Sequence, residues 1–188
     1  MRAKRAAGTP RRDSITARER AAVEYAAWRQ ASIILFDTNI VLDVLLKRHP
    51  WSADSARLLA LAASGDVTGV IASHAITTIY YVVTRERDRV AALAGVRDLL
   101  SFLTVVELSG HDFERAMSIG LNDFEDAVQV AAALRIGADY LASRNKADFK
   151  GAPVQVRSAS ELLAILGQTR DTPSLTPPLS PSPRPSRP

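Results

Sequence analysis

Two observations predict an α/β fold built on a parallel sheet. The first is Ser32-Ile-Ile-Leu-Phe-Asp37, an apolar run of strand length closed by an aspartate. After Thr38 and Asn39, apolar residues recur at helical spacing through Ile40, Val41, Val44 and Leu45. Strands buried on both faces read as continuous apolar runs of this kind. The second is that the same strand-then-helix unit recurs along the chain. Alternating strands and helices imply right-handed crossovers and a sheet covered on both sides.

The elements follow in order. Residues 1–13 are basic and expected to be disordered. Thr16-Ala-Arg-Glu19 has capping-box spacing, and Ala21, Tyr25 and Trp28 share one stripe of a helix over 17–29. The Asp37 strand feeds a helix that Thr38 or Asn39 would cap. Trp51 to Ala63 reads as a second helix, with Ala56, Leu59 and Ala63 as its apolar side. Val67 to Ala72 is the second strand, and Ser73 would cap a helix over Ala75 to Val83. Arg87 to Leu103 is helical, with Val90, Leu93, Val96, Leu100 and Leu103 on one side. Thr104 to Leu108 is the third strand, and His111 to Ile119 another helix. Asn122-Asp123-Phe124-Glu125-Asp126 opens a helix running to Arg135. Ala138 to Ser143 is the fourth strand, Arg144 to Phe149 a polar turn, and Val154 to Val156 a short fifth strand. Ser158-Ala-Ser-Glu161 is a second capping box, starting a helix that stops before Gly167. From Thr172 the chain is mostly Pro and Ser, which cannot build a core. The expected division is a basic arm with an appended helix (1–31), one α/β domain (32–167) and a disordered tail (168–188).

Composition bounds the function. The chain of 188 residues has no cysteine, which removes disulfides and thiolate metal sites. No apolar run reaches the roughly 18 residues of a membrane span. The arginine-rich start lacks the apolar segment of a secretory signal. A cytoplasmic protein with no membrane partner is the expectation. Net charge is +4 but lies at the ends: residues 1–30 hold eight basic and three acidic side chains, while 31–166 hold thirteen basic and sixteen acidic. Basic ends suit an anionic partner such as nucleic acid.

Acids recur at one topological place, on strand ends or the helix starts after them: Asp37, the Asp123/Glu125/Asp126 group, and Asp148. In a parallel sheet these segments converge along the carboxyl edge, where ligands bind. Converging carboxylates repel one another unless cations neutralise them. Oxygen ligands without Cys or His favour Mg²⁺ or Mn²⁺, and the chemistry suggested is metal-assisted attack of water on a phosphodiester. For Asp123 and Glu125 the structural reading is favoured, because first-turn acids gain about 0.3–1 kcal/mol each from the helix dipole. Asp126 begins an apolar helical face, and Asp37 ends a buried strand where an unpartnered carboxylate is costly. Those two read as functional. His49, His74 and His111 have no spacing that suggests a zinc site or a triad.

Phe36-Asp37-Thr38-Asn39 before an apolar helix, then Asp123-Phe-Glu-Asp126-Ala-Val-Gln, then Leu141-Ala-Ser-Arg-Asn145-Lys-Ala-Asp148-Phe149, resembles the PIN domain over about Ile33 to Leu166. PIN domains are metal-dependent ribonucleases, and many small bacterial members are VapC-like toxins of toxin–antitoxin pairs. The resemblance implies a three-layer fold with a five-stranded parallel sheet flanked by helices. It implies Asp37, Asp126 and Asp148 as catalytic metal ligands for Mg²⁺ (or Mn²⁺), with Ser143 and Asn145 as polar neighbours. Asn39 would bond Asp37 or cap its helix. Hydrolysis would leave 3′-hydroxyl and 5′-phosphate ends. Arg144, Lys146, Lys150, Lys47 and Arg48 are candidates for holding the RNA backbone. A cognate antitoxin and a homodimer through the helices between Trp51 and Leu103 follow by analogy.

The sequence departs from the family at Thr78 of Ile76-Thr77-Thr78-Ile79-Tyr80, where a glutamate is usual. A hydroxyl supplies no charge, and Glu86 lies more than two turns further on. That departure supports a second reading behind the ribonuclease, a catalytically weak or inactive module that binds RNA or a protein partner. A haloacid-dehalogenase-type phosphoryl transferase would need a second aspartate where Asn39 stands.

Overall fold

The computed structural model describes residues 31–170. The expected arm helix over 17–29 and the Pro/Ser tail fall largely outside them. The elements are β1 (Ile33–Phe36), α1 (Thr38–Leu45), α2 (Ser52–Ala63), β2 (Thr68–Ala72), α3 (Ser73–Glu86), α4 (Arg89–Leu100), β3 (Thr104–Val106), α5 (Gly110–Ile119), α6 (Phe124–Ile136), β4 (Tyr140–Ala142), β5 (Val156–Arg157) and α7 (Ala159–Arg170). All four strand pairings are parallel, and the sheet order is β3-β2-β1-β4-β5. The most apolar strand, β1, takes the centre, where both faces are covered.

Alternation along the strands divides the core. Ile34 and Phe36 of β1, Ile71 of β2 and Ala142 of β4 face a cluster with Ile40 and Val41 of α1, Leu58 of α2, Ile79 of α3, Leu99 of α4 and Leu162 of α7. Leu35, Val70 and Leu141 face the other way, against Val130, Ala132 and Ala133 of α6. Ala116 of α5 packs on Ala127 and Ala131 of α6. The result is three layers: helices, sheet, helices. By the same period of two, Asp37 and Ser143 continue the parity of Leu35 and Leu141, and so point toward α6.

Several expectations need correction. Thr38 and Ser73 are the first helical residues rather than caps. The cap positions are Asp37 and Ala72, and neither side chain makes a capping bond. Asp37 spends its carboxylate on tertiary partners instead. Helix α2 buries Ser55, Leu58, Leu59 and Ala62, not Ala56 or Ala63. In so alanine-rich a helix, small apolar residues carry little directional information. The largest departure is α4: Val90 (78% exposed), Leu93 and Leu100 face outward, while Ala92, Gly95 and Leu99 are buried. Close packing selected the small residues, since a Cβ on Gly95 would stand 3.0 Å from Leu45. Strand β5 begins at Val156 rather than Val154. Helix α7 continues through Gly167 to Arg170. A mid-helix glycine costs about 1 kcal/mol relative to alanine, and the packing of Leu162, Leu163 and Leu166 on the core outweighs it.

Candidate active site

At the carboxyl edge, Asp37 is 5% exposed and points toward α6 as its parity requires. Ser143 Oγ donates to its Oδ2 at 2.7 Å, and Gln129 Nε2 donates to its Oδ1 at 3.1 Å. The Ser143 hydroxyl accepts in turn from Asn39 Nδ2 and from the Asn145 backbone N–H, both at 3.2 Å. Asn39 Oδ1 accepts from the Arg144 backbone N–H at 3.1 Å. Contrary to one expectation above, the Asn39 side chain neither bonds Asp37 nor caps α1; it is the Asn39 backbone that hydrogen-bonds the Asp37 carboxyl. The side chain clamps the β4 turn that carries Ser143, and Ser143 holds Asp37. Burial pushes the Asp37 carboxyl up from 3.8 to about 6, against the lowering effect of the Ser143 hydrogen bond.

Asp126 lies one turn before Gln129 on α6, which places it above Asp37 at the sheet edge. Its carboxyl is pushed up from 3.8 to about 7, first by burial and then by repulsion from Asp37, Asp123, Asp148 and Glu125. Asp126 is thus within electrostatic range of the other acids singled out in the sequence. Asp148, in the turn after β4, lines with Asp123, Asp126 and Lys150 a cleft of about 500 Å³. Among the described residues, no group of three or more Asp, Glu or His side chains is already spaced to hold a metal ion. The donor set is nonetheless all oxygen, crowded and electrostatically frustrated, which fits a hard divalent cation.

Asp123 caps α6, accepting from the backbone N–H groups of Glu125 (2.7 Å) and Asp126 (3.3 Å). Glu125 accepts from Thr38 Oγ1 at 3.5 Å. The Thr78 hydroxyl turns back to the His74 carbonyl of its own helix at 3.5 Å. Three of the expected RNA-binding cations are committed elsewhere. Arg144 pairs with buried Asp43 at 2.6 Å and lies over the Trp51 ring at 4.4 Å. Lys146 pairs with Glu161 and Arg48 with Glu86. Lys47 and Arg48 follow the far end of α1, which leads away from the acidic edge. Of the five, Lys150 is the one that lines the cleft.

Sequence reasoning gave no role to two residues near this edge. Gln129 is fully buried, with Oε1 unpartnered. A lone polar residue inside Ala127–Ala133 was the signal for it. His74 is half-buried, and both ring nitrogens are shielded from solvent without a hydrogen-bond partner. Burial lowers its pKa, opposed by the charge of Glu125.

The family model for the PIN domain matches residues 33–147. Ribonuclease VapC1 of Aquifex aeolicus is 26% identical over 136 residues, covering 68% of this chain and 91% of that protein. VapBC2 from Rickettsia felis, bound to a DNA fragment from their promoter, superposes with a TM-score of 0.54 at 18% identity, over 67% of this chain and 98% of that one. DNA-bound VapBC from Salmonella typhimurium gives 0.54 at 15% identity, over 69% and 98%. PAE2754 from Pyrobaculum aerophilum gives 0.52 at 17% identity, over 73% and 90%.

Proposed function

Because this chain belongs to the PIN domain family, we propose that it is a divalent-metal-dependent endoribonuclease, the toxin component of a toxin–antitoxin pair. The observation that carries the reading is Asp126, whose carboxyl is held up near 7 by burial and by four neighbouring acids. So much unneutralised charge on a cleft wall is stable only with a cation or protons present. Similarity to a ribonuclease covering 91% of that relative supports the RNA substrate.

Asp37, Asp126 and Asp148 would hold Mg²⁺ or Mn²⁺. When bound, the ion stabilises charge on the phosphate oxygens and lowers the pKa of the attacking water. Ser143 and Gln129 fix both oxygens of Asp37, so its orientation is set before any ligand arrives. Lys150 on the cleft wall offers a cation to the phosphodiester. Water oxygen bonds to phosphorus, the 3′ oxygen leaves and takes a proton, and a 5′-phosphate remains.

An apolar groove between α1, α2 and α4, lined by Val41, Val44, Leu59, Gly95, Leu99 and Phe102, has a volume of about 290 Å³. It suits the apolar face of a partner helix, as an antitoxin would present. Thr78, turned toward its own helix, favours the second reading of a weak or inactive module. The two separate on one assay. The full chain, incubated with single-stranded RNA and Mg²⁺ or Mn²⁺, should cleave it to 5′-phosphate ends. Asp37→Asn, Asp126→Asn or EDTA should abolish cleavage. RNA binding without metal-dependent cleavage would establish the binding module instead.

A further inference from the structure

We propose that the cavity between α1, α2 and the start of α7 is a guanine pocket, which holds one base of the RNA beside the scissile phosphate. The inference rests on the nuclease reading above and deepens it, since it names the base that the protein reads.

The cavity is separate from the acidic cleft but shares its edge of the sheet. Its volume is about 190 Å³, and Asp43, Trp51, Ser55, Arg144, Ser158 and Ser160 are among its lining residues. Arg144 follows β4 and Ser158 follows β5, so both leave the carboxyl ends of their strands. Ser143, the residue before Arg144, donates to Asp37. Asp43 is six residues beyond Asp37, about 9 Å along α1.

One wall accepts hydrogen bonds. Asp43 gives Oδ1 to Arg144 at 2.6 Å and keeps Oδ2 without a partner, and the Ser55 hydroxyl is unpartnered as well. The two residues are 0% and 1% exposed, yet both line the cavity. Unpaired polar atoms are costly in such a place unless something that enters completes them. A second wall donates. The capping box of α7 engages the backbone N–H groups of Ser158 and Glu161, and leaves those of Ala159 and Ser160 at a positive helix terminus. Trp51 and the Arg144 guanidinium, 4.4 Å from the ring centre, are flat surfaces of the kind on which bases stack. Pockets for larger ligands run from about 300 Å³ upward, so this one suits a single planar group. Guanine alone among the four bases carries two adjacent donor groups, N1–H and N2–H₂, beside two acceptors, O6 and N7. Its donors meet Asp43 Oδ2 and Ser55, and its acceptors meet the α7 terminus. Arg144, which covers Asp43, is the side chain that tilts to admit it.

The test uses the full chain in EDTA, with guanosine, adenosine, cytidine and uridine 5′-monophosphates as probes. Binding is followed by NMR on the Trp51 indole N–H, assigned with Trp51→Phe. Guanosine monophosphate should bind about tenfold tighter than the other three, or more. Ser55→Ala should lower that affinity about tenfold, the upper worth of one hydrogen bond. The wild-type preference is a readout that stands even if the variant fails to fold. With Mn²⁺ and random-sequence single-stranded RNA, the cuts should carry guanine at one fixed position beside the break. Equal affinity for the four nucleotides, or an unshifted Trp51 indole, overturns the pocket. Cleavage without a guanine preference also overturns it and leaves the nuclease reading standing. Guanine binding at Trp51 with no cleavage of any RNA keeps the guanine site and overturns the nuclease reading alone.

Discussion

Asp37 and Asp126 are folded into a site that disfavours their charge, and the consequence is measurable without RNA. Each carboxyl titrates higher in the native chain, at about 6 and about 7, than the ordinary 3.8. Between 3.8 and those values the native state holds more protons than the unfolded one, so stability falls as pH rises through the window. For Asp37, 5% exposed, the rise to about 6 corresponds to roughly 3 kcal/mol once both states are ionised. In EDTA, Asp37→Asn should therefore melt well above the wild type at pH 8 and close to it at pH 4. Thermal unfolding checks this, and a gap independent of pH would contradict it. Saturating Mn²⁺ should raise the wild-type melting temperature at pH 8 and spare the variant. These acids were legible in the sequence because each ends a strand or opens a helix. The tertiary commitment of Arg144 was not, because its partner Asp43 lies 101 residues away in the chain. Arg144→Ala takes the paired guanidinium from buried Asp43, leaving only the weaker influence of Arg48, and removes the stack on Trp51. It should cost about 3–5 kcal/mol in denaturant unfolding.

At the scale of elements, patterns that bury large residues were readable and patterns that bury small ones were not. Strand β1 and helix α6 declared themselves through continuous apolar runs and a capping aspartate. The second capping box is present as expected: Glu161 accepts from the Ser158 backbone N–H at 2.8 Å, and Ser158 Oγ accepts from that of Glu161 at 3.3 Å. Helix α4 was misread because its contact side is Ala92 and Gly95, residues whose value is their lack of volume. Gly69 in β2 is the sharper case. A Cβ there would meet Ala62 Cβ and Leu103 Cδ2 at 2.6 Å each and Phe36 Cε2 at 3.2 Å. Its φ is not left-handed, so the requirement is space and not backbone freedom. Gly69→Ala should destabilise by about 1–3 kcal/mol through overpacking, read from the urea midpoint. A neutral result would mean that α2 can slide on the sheet.

For the whole molecule, alternation in the sequence implied three layers, but not the strand order, which depends on which crossovers pass each face. Nor did it show that α4 presents apolar residues on two opposite sides. One side lines the groove with Gly95 and Leu99, joined by Phe102 just past the helix end. The other exposes Val90 (78%), Leu93 (44%) and Leu100 (50%), and Tyr81 of the packed neighbour α3 is 59% exposed. Apolar side chains repeated along one outward stripe mark an interaction surface, since water solvates them poorly. A two-fold contact needs a patch that complements itself, and a helix stripe crossing its own copy meets that condition. The groove, being concave, suits a different chain. The expectation is a homodimer through the stripe, with the groove left free. Light scattering behind size exclusion should give twice the 20.3 kDa of the chain. Leu93→Glu combined with Leu100→Glu should return the single-chain mass, with the melting temperature falling only by the concentration-dependent part that dimerisation supplied, because neither side chain is in the core. A wild type that stays at 20.3 kDa at tens of micromolar would assign the stripe to some other partner. A double variant that stays dimeric would move the interface off α4.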